Sequence, residues 1–82
     1  MIANNKSKKD ILLYLKNIYE NRPFKSVRGL EIINDLHIGE EYLNSTLKFL
    51  EDLGLIKMLN TSYDSKAFIK ITEKGLKEIE SL

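Results

Sequence analysis

Glu40-Glu41 and Glu51-Asp52 are the residues of this chain whose types would suit acid–base chemistry. Two cooperating carboxyl groups must face each other across a space wide enough for a substrate. Adjacent residues on a helix do not face each other, and both pairs fall within one helical stretch, so they imply no cleft. His37 is the only histidine, and the chain has no cysteine. That excludes a thiolate or histidine-rich metal centre and a disulfide framework, and nothing near His37 in sequence supplies a partner for a proton switch. With 82 residues, one modest core leaves little room for a buried active-site cavity. We therefore expect no catalytic residues, no metal, no cofactor and no enzyme activity.

The remaining chemistry is charge and hydrogen bonding offered to another macromolecule. Net charge is only +1, yet it is unevenly spread. Residues 1–28 carry seven basic and two acidic groups, 29–54 carry Lys48 against six acids, and 55–82 carry five basic and four acidic groups. The cations that could hold phosphate are Lys6, Lys8 and Lys9 near the start, Lys25 and Arg28 further on, and Lys57, Lys66 and Lys70. Lysines ahead of a first helix also suit a solvated tail, so residues 1–7 read as a disordered basic tail.

These groups need elements to position them. Ser7 with Asp10 resembles a capping box, and Ile11, Leu12, Leu15, Ile18 and Tyr19 recur at helical spacing, predicting a helix from Lys8 to about Glu20. Arg22-Pro23 ends it. Phe24 to Ser26 reads as a short extended piece, with Ser26 capping a second helix over Val27 to Leu36 whose inward stripe is Leu30, Ile33 and Leu36. Gly29 inside that helix costs roughly 1 kcal/mol against Ala unless close packing uses it. A third helix from Glu40 to Leu53 buries Leu43, Leu47 and Leu50 and ends at Gly54 as a left-handed cap. Leu55 to Leu59 and Ala67 to Ile71 alternate as two strands around the polar turn Asn60 to Lys66. Thr72 then caps a last helix through Leu76 and Ile79. The order is α-β-α-α-β-β-α in a single domain, mainly α with a small β-hairpin.

Three motifs in order carry a resemblance. LHIG at 36–39 sits where winged helix-turn-helix regulators often read Leu-Gly-Ile-Ser, TLKFLEDLGLI at 46–56 resembles their third helix ending in Gly-Leu-Ile, and ITEKG at 71–75 is similar to the Leu-Thr-x-x-Gly that closes their wing. The chain resembles the small single-domain winged-helix proteins of archaea and their mobile elements, and more loosely the MarR, ArsR and PadR regulators. His37 replaces the usual turn glycine, where positive φ is often needed, and Gly39 replaces the serine cap at a cost of a few tenths of a kcal/mol.

The resemblance implies sequence-specific binding of double-stranded DNA, with helix 40–53 in the major groove and hairpin 55–71 as the wing. Base contacts then fall to Glu41, Tyr42, Asn44, Ser45 and Lys48. Lys25, Ser26 and Arg28 contact phosphate, helped by free N–H groups at the start of the second helix, and Asn60, Ser62, Tyr63 and Lys66 form the wing contacts. Glu40 and Glu41 suit the helix dipole but oppose a phosphate backbone. That tension supports an alternative, a protein-interaction module whose acidic third helix meets a basic partner.

Leu13, Tyr14, Phe49, Leu53 and Phe68 fall off the inward stripes. A homodimer with the first and last helices near its interface would cover them, unless Phe49 and Leu53 pack within one chain. No segment has the length and apolarity of a signal or membrane-spanning helix, which implies a soluble, cytoplasmic protein and no membrane partner.

Overall fold

A computed structural model describes residues 4–80, with side chains from Lys8 onward. It is mainly helical, with one small antiparallel sheet: α1 (Asn4–Asn21), β1 (Val27–Arg28), α2 (Gly29–Leu36), α3 (Glu40–Asp52), β2 (Ile56–Met58), β3 (Phe68–Ile71) and α4 (Glu73–Glu80). The sheet order is β1-β3-β2. Val27 pairs with Ile69 and Arg28 with Phe68, while Ile56, Lys57 and Met58 pair with Ile71, Lys70 and Ile69. No described helix is long and apolar enough to cross a membrane.

The core forms where the apolar stripes converge. Ile11, Leu12 and Leu15 of α1 meet Leu43, Leu47 and Leu50 of α3, and Val27, Ile56 and Ile69 close it from the sheet. Each helix contributes side chains three or four apart, which is the spacing that puts them on one face. α1 packs against the other three helices and β3, so its stripe organises the whole core.

Three local expectations change. The first helix already includes Asn4, the first described residue, rather than starting at Lys8, and Ser7 and Asp10 lie inside it, because the run from Asn4 holds no proline or glycine to stop it. Of the expected tail, residues 1–3 lie outside the described residues, as do the side chains through Ser7, Lys6 included. The second helix begins at Gly29, not Val27, and Ser26 is not its cap. Val27 is a β-branched residue 2% exposed against the core, and it is held by pairing with Ile69. Arg28 is extended at φ −89° and ψ 145°, and its N–H donates to the Glu31 carboxylate at 2.9 Å.

The buried stripe of α2 is also rotated. Ile32 is its fully buried member, Ile33 and Leu36 are half-buried, and Leu30 is 46% exposed. The spacing 29, 32, 33, 36 is a regular helical face whose first position is a glycine. A glycine adds no hydrophobic signal, so Leu30 displaced it in the sequence pattern.

The ends of α3 are as expected. His37 adopts the left-handed conformation at φ 55° and ψ 48°, Gly39 stands at the N-cap, and Gly54 is left-handed at φ 76°. Thr72 joins two elements: its Oγ1 accepts the Gly75 N–H at 3.0 Å, capping α4, and donates to the Gly54 carbonyl at 2.7 Å. Lys74 Nζ donates to the Leu53 carbonyl at 2.7 Å. The carbonyls of Leu53 and Gly54, just past α3, are thereby taken by Lys74 and Thr72, while Phe49, Leu50 and Glu51 within its last turn accept the N–H groups of Leu53, Leu55 and Gly54.

Candidate nucleic-acid interface

The residues expected to read bases sit on α3, which Leu43, Leu47 and Leu50 anchor to the core. Glu41, Ser45 and Lys48 share the outward face with Phe49 and Asp52, whereas Tyr42 and Asn44 are half-buried on its two flanks. Ser45 Oγ donates to the Tyr42 carbonyl at 3.2 Å, a local bond that a hydroxyl readily exchanges. Thr46, the next residue, is buried at 4% exposure and faces the core.

The segment between β2 and β3 does not stand away from the molecule. It folds back along one side of α3. The Ser65 N–H donates to Glu40 at 3.1 Å, the Tyr63 hydroxyl donates to Glu51, and Lys48 Nζ lies 5.5 Å from the centre of the Tyr63 ring. The bond to Glu51 is the main reason the Tyr63 hydroxyl titrates above its ordinary value. Two of the four acids on α3 therefore have internal partners, and the outward acids are Glu41 and Asp52.

Asn60 closes this loop. Its Nδ2 donates to the Lys66 carbonyl at 3.0 Å, and its Oδ1 accepts from Ser62 N–H and Phe68 N–H, each at 3.3 Å. Three bonds occupy most of what an asparagine amide offers, so Asn60, although exposed, positions the loop. Ser62 is half-buried, and Lys66 is the exposed cation of the loop.

Two of the free N–H groups expected at the start of α2 are occupied. Gly29 N–H donates to the Ala67 carbonyl at 2.9 Å and Leu30 N–H to the Ser65 carbonyl at 3.0 Å. The loop thus satisfies two of the backbone donors of this helix end. Lys25 is also engaged. Its Nζ lies 3.2 and 3.1 Å from the two carboxylate oxygens of Glu31 and 3.3 Å from the Ser26 carbonyl. The Arg28 N–H, opposed by burial and helped by Lys25, holds Glu31 below the usual glutamate range.

Lys25, Ser26 and Arg28 consequently have different surroundings. Lys25 and Ser26 are half-buried beside Glu31, while Arg28 is exposed on the sheet, its guanidinium 5.7 Å from the centre of the Phe68 ring. Arg28 has no carboxylate partner among the described residues. Phe68, which the sequence places off the inward stripe, and Leu59, which the sequence does not single out, share the outer sheet face with Arg28. Alternation alone places Lys57 and Leu59, and Phe68 and Lys70, on matching faces. Addition of Arg28 to them depends on a strand of only two residues.

An opening of about 410 Å³ lies between the start of α1 and the end of α3, lined by Lys8, Leu12, Phe49, Leu53 and Leu55 among others. Lys8 Nζ sits 3.5 Å from the centre of the Phe49 ring, so Phe49 is partly covered within the chain. Phe49 and Leu53 remain 40% and 42% exposed. Compared with protein-family models, curated proteins and solved structures, the chain matches none.

Proposed function

We propose that this chain is a winged-helix protein that binds double-stranded DNA, as a sequence-specific transcriptional regulator. The observation that carries the reading is the presentation of α3: a helix rooted by three buried leucines, entered through the left-handed turn at His37, with Glu41, Ser45 and Lys48 directed outward. A major groove admits one such helix. The sheet order β1-β3-β2 and the element order support the same reading.

In this proposal Glu41, Ser45 and Lys48 meet base edges, with Asn44 and Tyr42 at the sides of the groove. Glu41 accepts from a cytosine amino group, and Lys48 meets guanine or phosphate. Arg28 and Lys66 hold the backbone, while Lys25 serves the fold through Glu31. A palindromic operator would engage two copies, with Leu13, Phe49 and Leu53 available to a dimer interface.

The test is a titration of purified protein into a fluorescent mixed-sequence duplex at low and moderate salt, read by anisotropy. Micromolar binding that weakens steeply with salt supports the proposal and opens operator selection. Absence of binding at low salt defeats it. The half-exposed Phe49 and Leu53, with Glu41 and Asp52 outward nearby, favour a second reading in that event, a protein-interaction module. The apolar share of that binding, through Phe49 and Leu53, would change little with salt.

A further inference from the structure

The outer face of the sheet carries cations and apolar side chains in register. Val27, Ile56 and Ile69 point into the core, and alternation along each strand sends Arg28, Lys57, Phe68 and Lys70 to the other side. Arg28 stands opposite Phe68, and Lys57 opposite Lys70. Past the end of β2, Leu59 N–H donates to the Phe68 carbonyl at 2.8 Å, which sets Leu59 beside Phe68. Phe68 is 38% and Leu59 46% exposed.

Like charges directly opposite on one face of a sheet are destabilising. The ion pairs among the described residues are Lys16–Glu20, Lys25–Glu31 and Lys77–Glu73, and none relieves Arg28, Lys57 or Lys70. On the side of the lysines toward Thr72, Tyr19 and Leu76 share with them an opening of about 350 Å³. Glu73 borders the same opening, where it is paired to Lys77 at 3.7 Å. Phe68 therefore lies beside the lysine pair on the outer face, and Tyr19 of α1 shares an opening with that pair, whose bordering acid is Glu73.

We propose that this face binds a single-stranded nucleic acid. Phe68 and Tyr19 are stacking platforms for bases, and Arg28, Lys57 and Lys70 meet the phosphates between them. Cations without carboxylate partners call for a polyanion. The rings choose which one. A duplex keeps its bases stacked inside and would press charged phosphates against Phe68 and Leu59, whereas an unpaired strand offers a π-face to each ring. An acidic peptide satisfies the lysines and leaves the rings without a stacking partner. The site is distinct from α3 and shares only Arg28 with the duplex contacts proposed above, so its test uses the other residues.

The experiment is an anisotropy titration of labelled oligothymidylate, about 12 nucleotides long to match a typical single-strand site, alongside a duplex of equal length and a polyglutamate competitor. Phe68→Leu is expected to weaken oligothymidylate binding about fivefold or more and leave duplex affinity within about twofold, while Phe68→Trp retains binding. Lys57→Gln with Lys70→Gln is expected to reduce the single-strand salt slope by about 1.4. Thermal melting verifies that each variant is folded, and if Phe68→Leu melts early, Tyr19→Leu against Phe68→Trp makes the same comparison. Unchanged oligothymidylate binding by the folded ring variants would overturn the proposal, as would equal competition by polyglutamate. So would wild-type protein that binds duplex but no single strand. Loss of duplex binding alone defeats the α3 reading and leaves this one standing.

Discussion

The carbonyl oxygen of Asp64 lies so close over Gly29 that a Cβ on residue 29 would sit 2.0 Å from it. This approach lets the N–H groups of Gly29 and Leu30 reach the carbonyls of Ala67 and Ser65. A helix end and a loop thereby satisfy each other's backbone groups, and the glycine that weakens an isolated helix is what permits it.

Gly29→Ala is expected to destabilise the protein by about 1–3 kcal/mol, because overpacking against backbone outweighs the gain in helix propensity. Urea unfolding measures it. A variant as stable as the parent would mean that the loop does not sit on α2.

Lys25→Ala and Arg28→Ala separate the two cations that sequence proximity groups together. Arg28→Ala is expected to weaken binding to operator and random duplex alike and to lower the salt slope by about 1. Lys25→Ala is expected to leave affinity within about twofold, since its charge faces Glu31 at 3.1 Å. Equal losses from the two variants would contradict that division.

On α3, Ser45→Ala with Lys48→Ala is expected to narrow the gap between operator and random duplex, with each base contact contributing about 1–3 kcal/mol of discrimination. Asn44→Ala is expected to do less, because Asn44 is half-buried at the flank. Competition titrations with both DNAs read the ratio directly. A uniform loss on both would assign Ser45 and Lys48 to the backbone instead.

The acid limb of stability should report Glu31. Its carboxyl titrates below the ordinary value of 4.5 in the folded chain, first because of the Arg28 N–H. The unfolded chain then binds the proton more readily, so this contribution is present above about pH 4.5 and is lost as pH falls through the lower folded value. Glu31→Gln is expected to flatten chemical-denaturation stability between about pH 5 and pH 3. An unaltered acid limb would show that Glu31 titrates alike in both states.

The alkaline limb should report Tyr14. Burial first, and then the bond from its hydroxyl to Asp35 at 2.6 Å, raise its ionisation well above the ordinary tyrosine value of 10.0. The unfolded chain releases this proton first, so the contribution is complete below about pH 10 and declines as pH rises beyond it. Tyr14→Phe is expected to reduce stability at neutral pH by about 1 kcal/mol and to make the alkaline decline shallower. Melting curves from pH 7 to 11 measure both effects.

By itself the sequence determined the helices with a full stripe and explicit ends. α3 was legible because Leu43, Leu47 and Leu50 repeat at helical spacing and Gly54 supplies a left-handed stop. Thr72 announced α4 in the same way, since a cap bonds to a residue three positions away. Such features need only neighbours within one turn. The tertiary structure alone decided which residues pair across long separations. Val27 and Arg28 became a strand because Ile69 and Phe68 lie beside them, overriding a helical start. Lys25 found Glu31, the Glu40 carboxylate received Ser65, and Tyr63 turned toward Glu51. Each of these gave a polar group an internal partner that its residue type alone does not specify. The physical reason is that a side chain's chemistry is local, whereas its availability depends on every element folded against it.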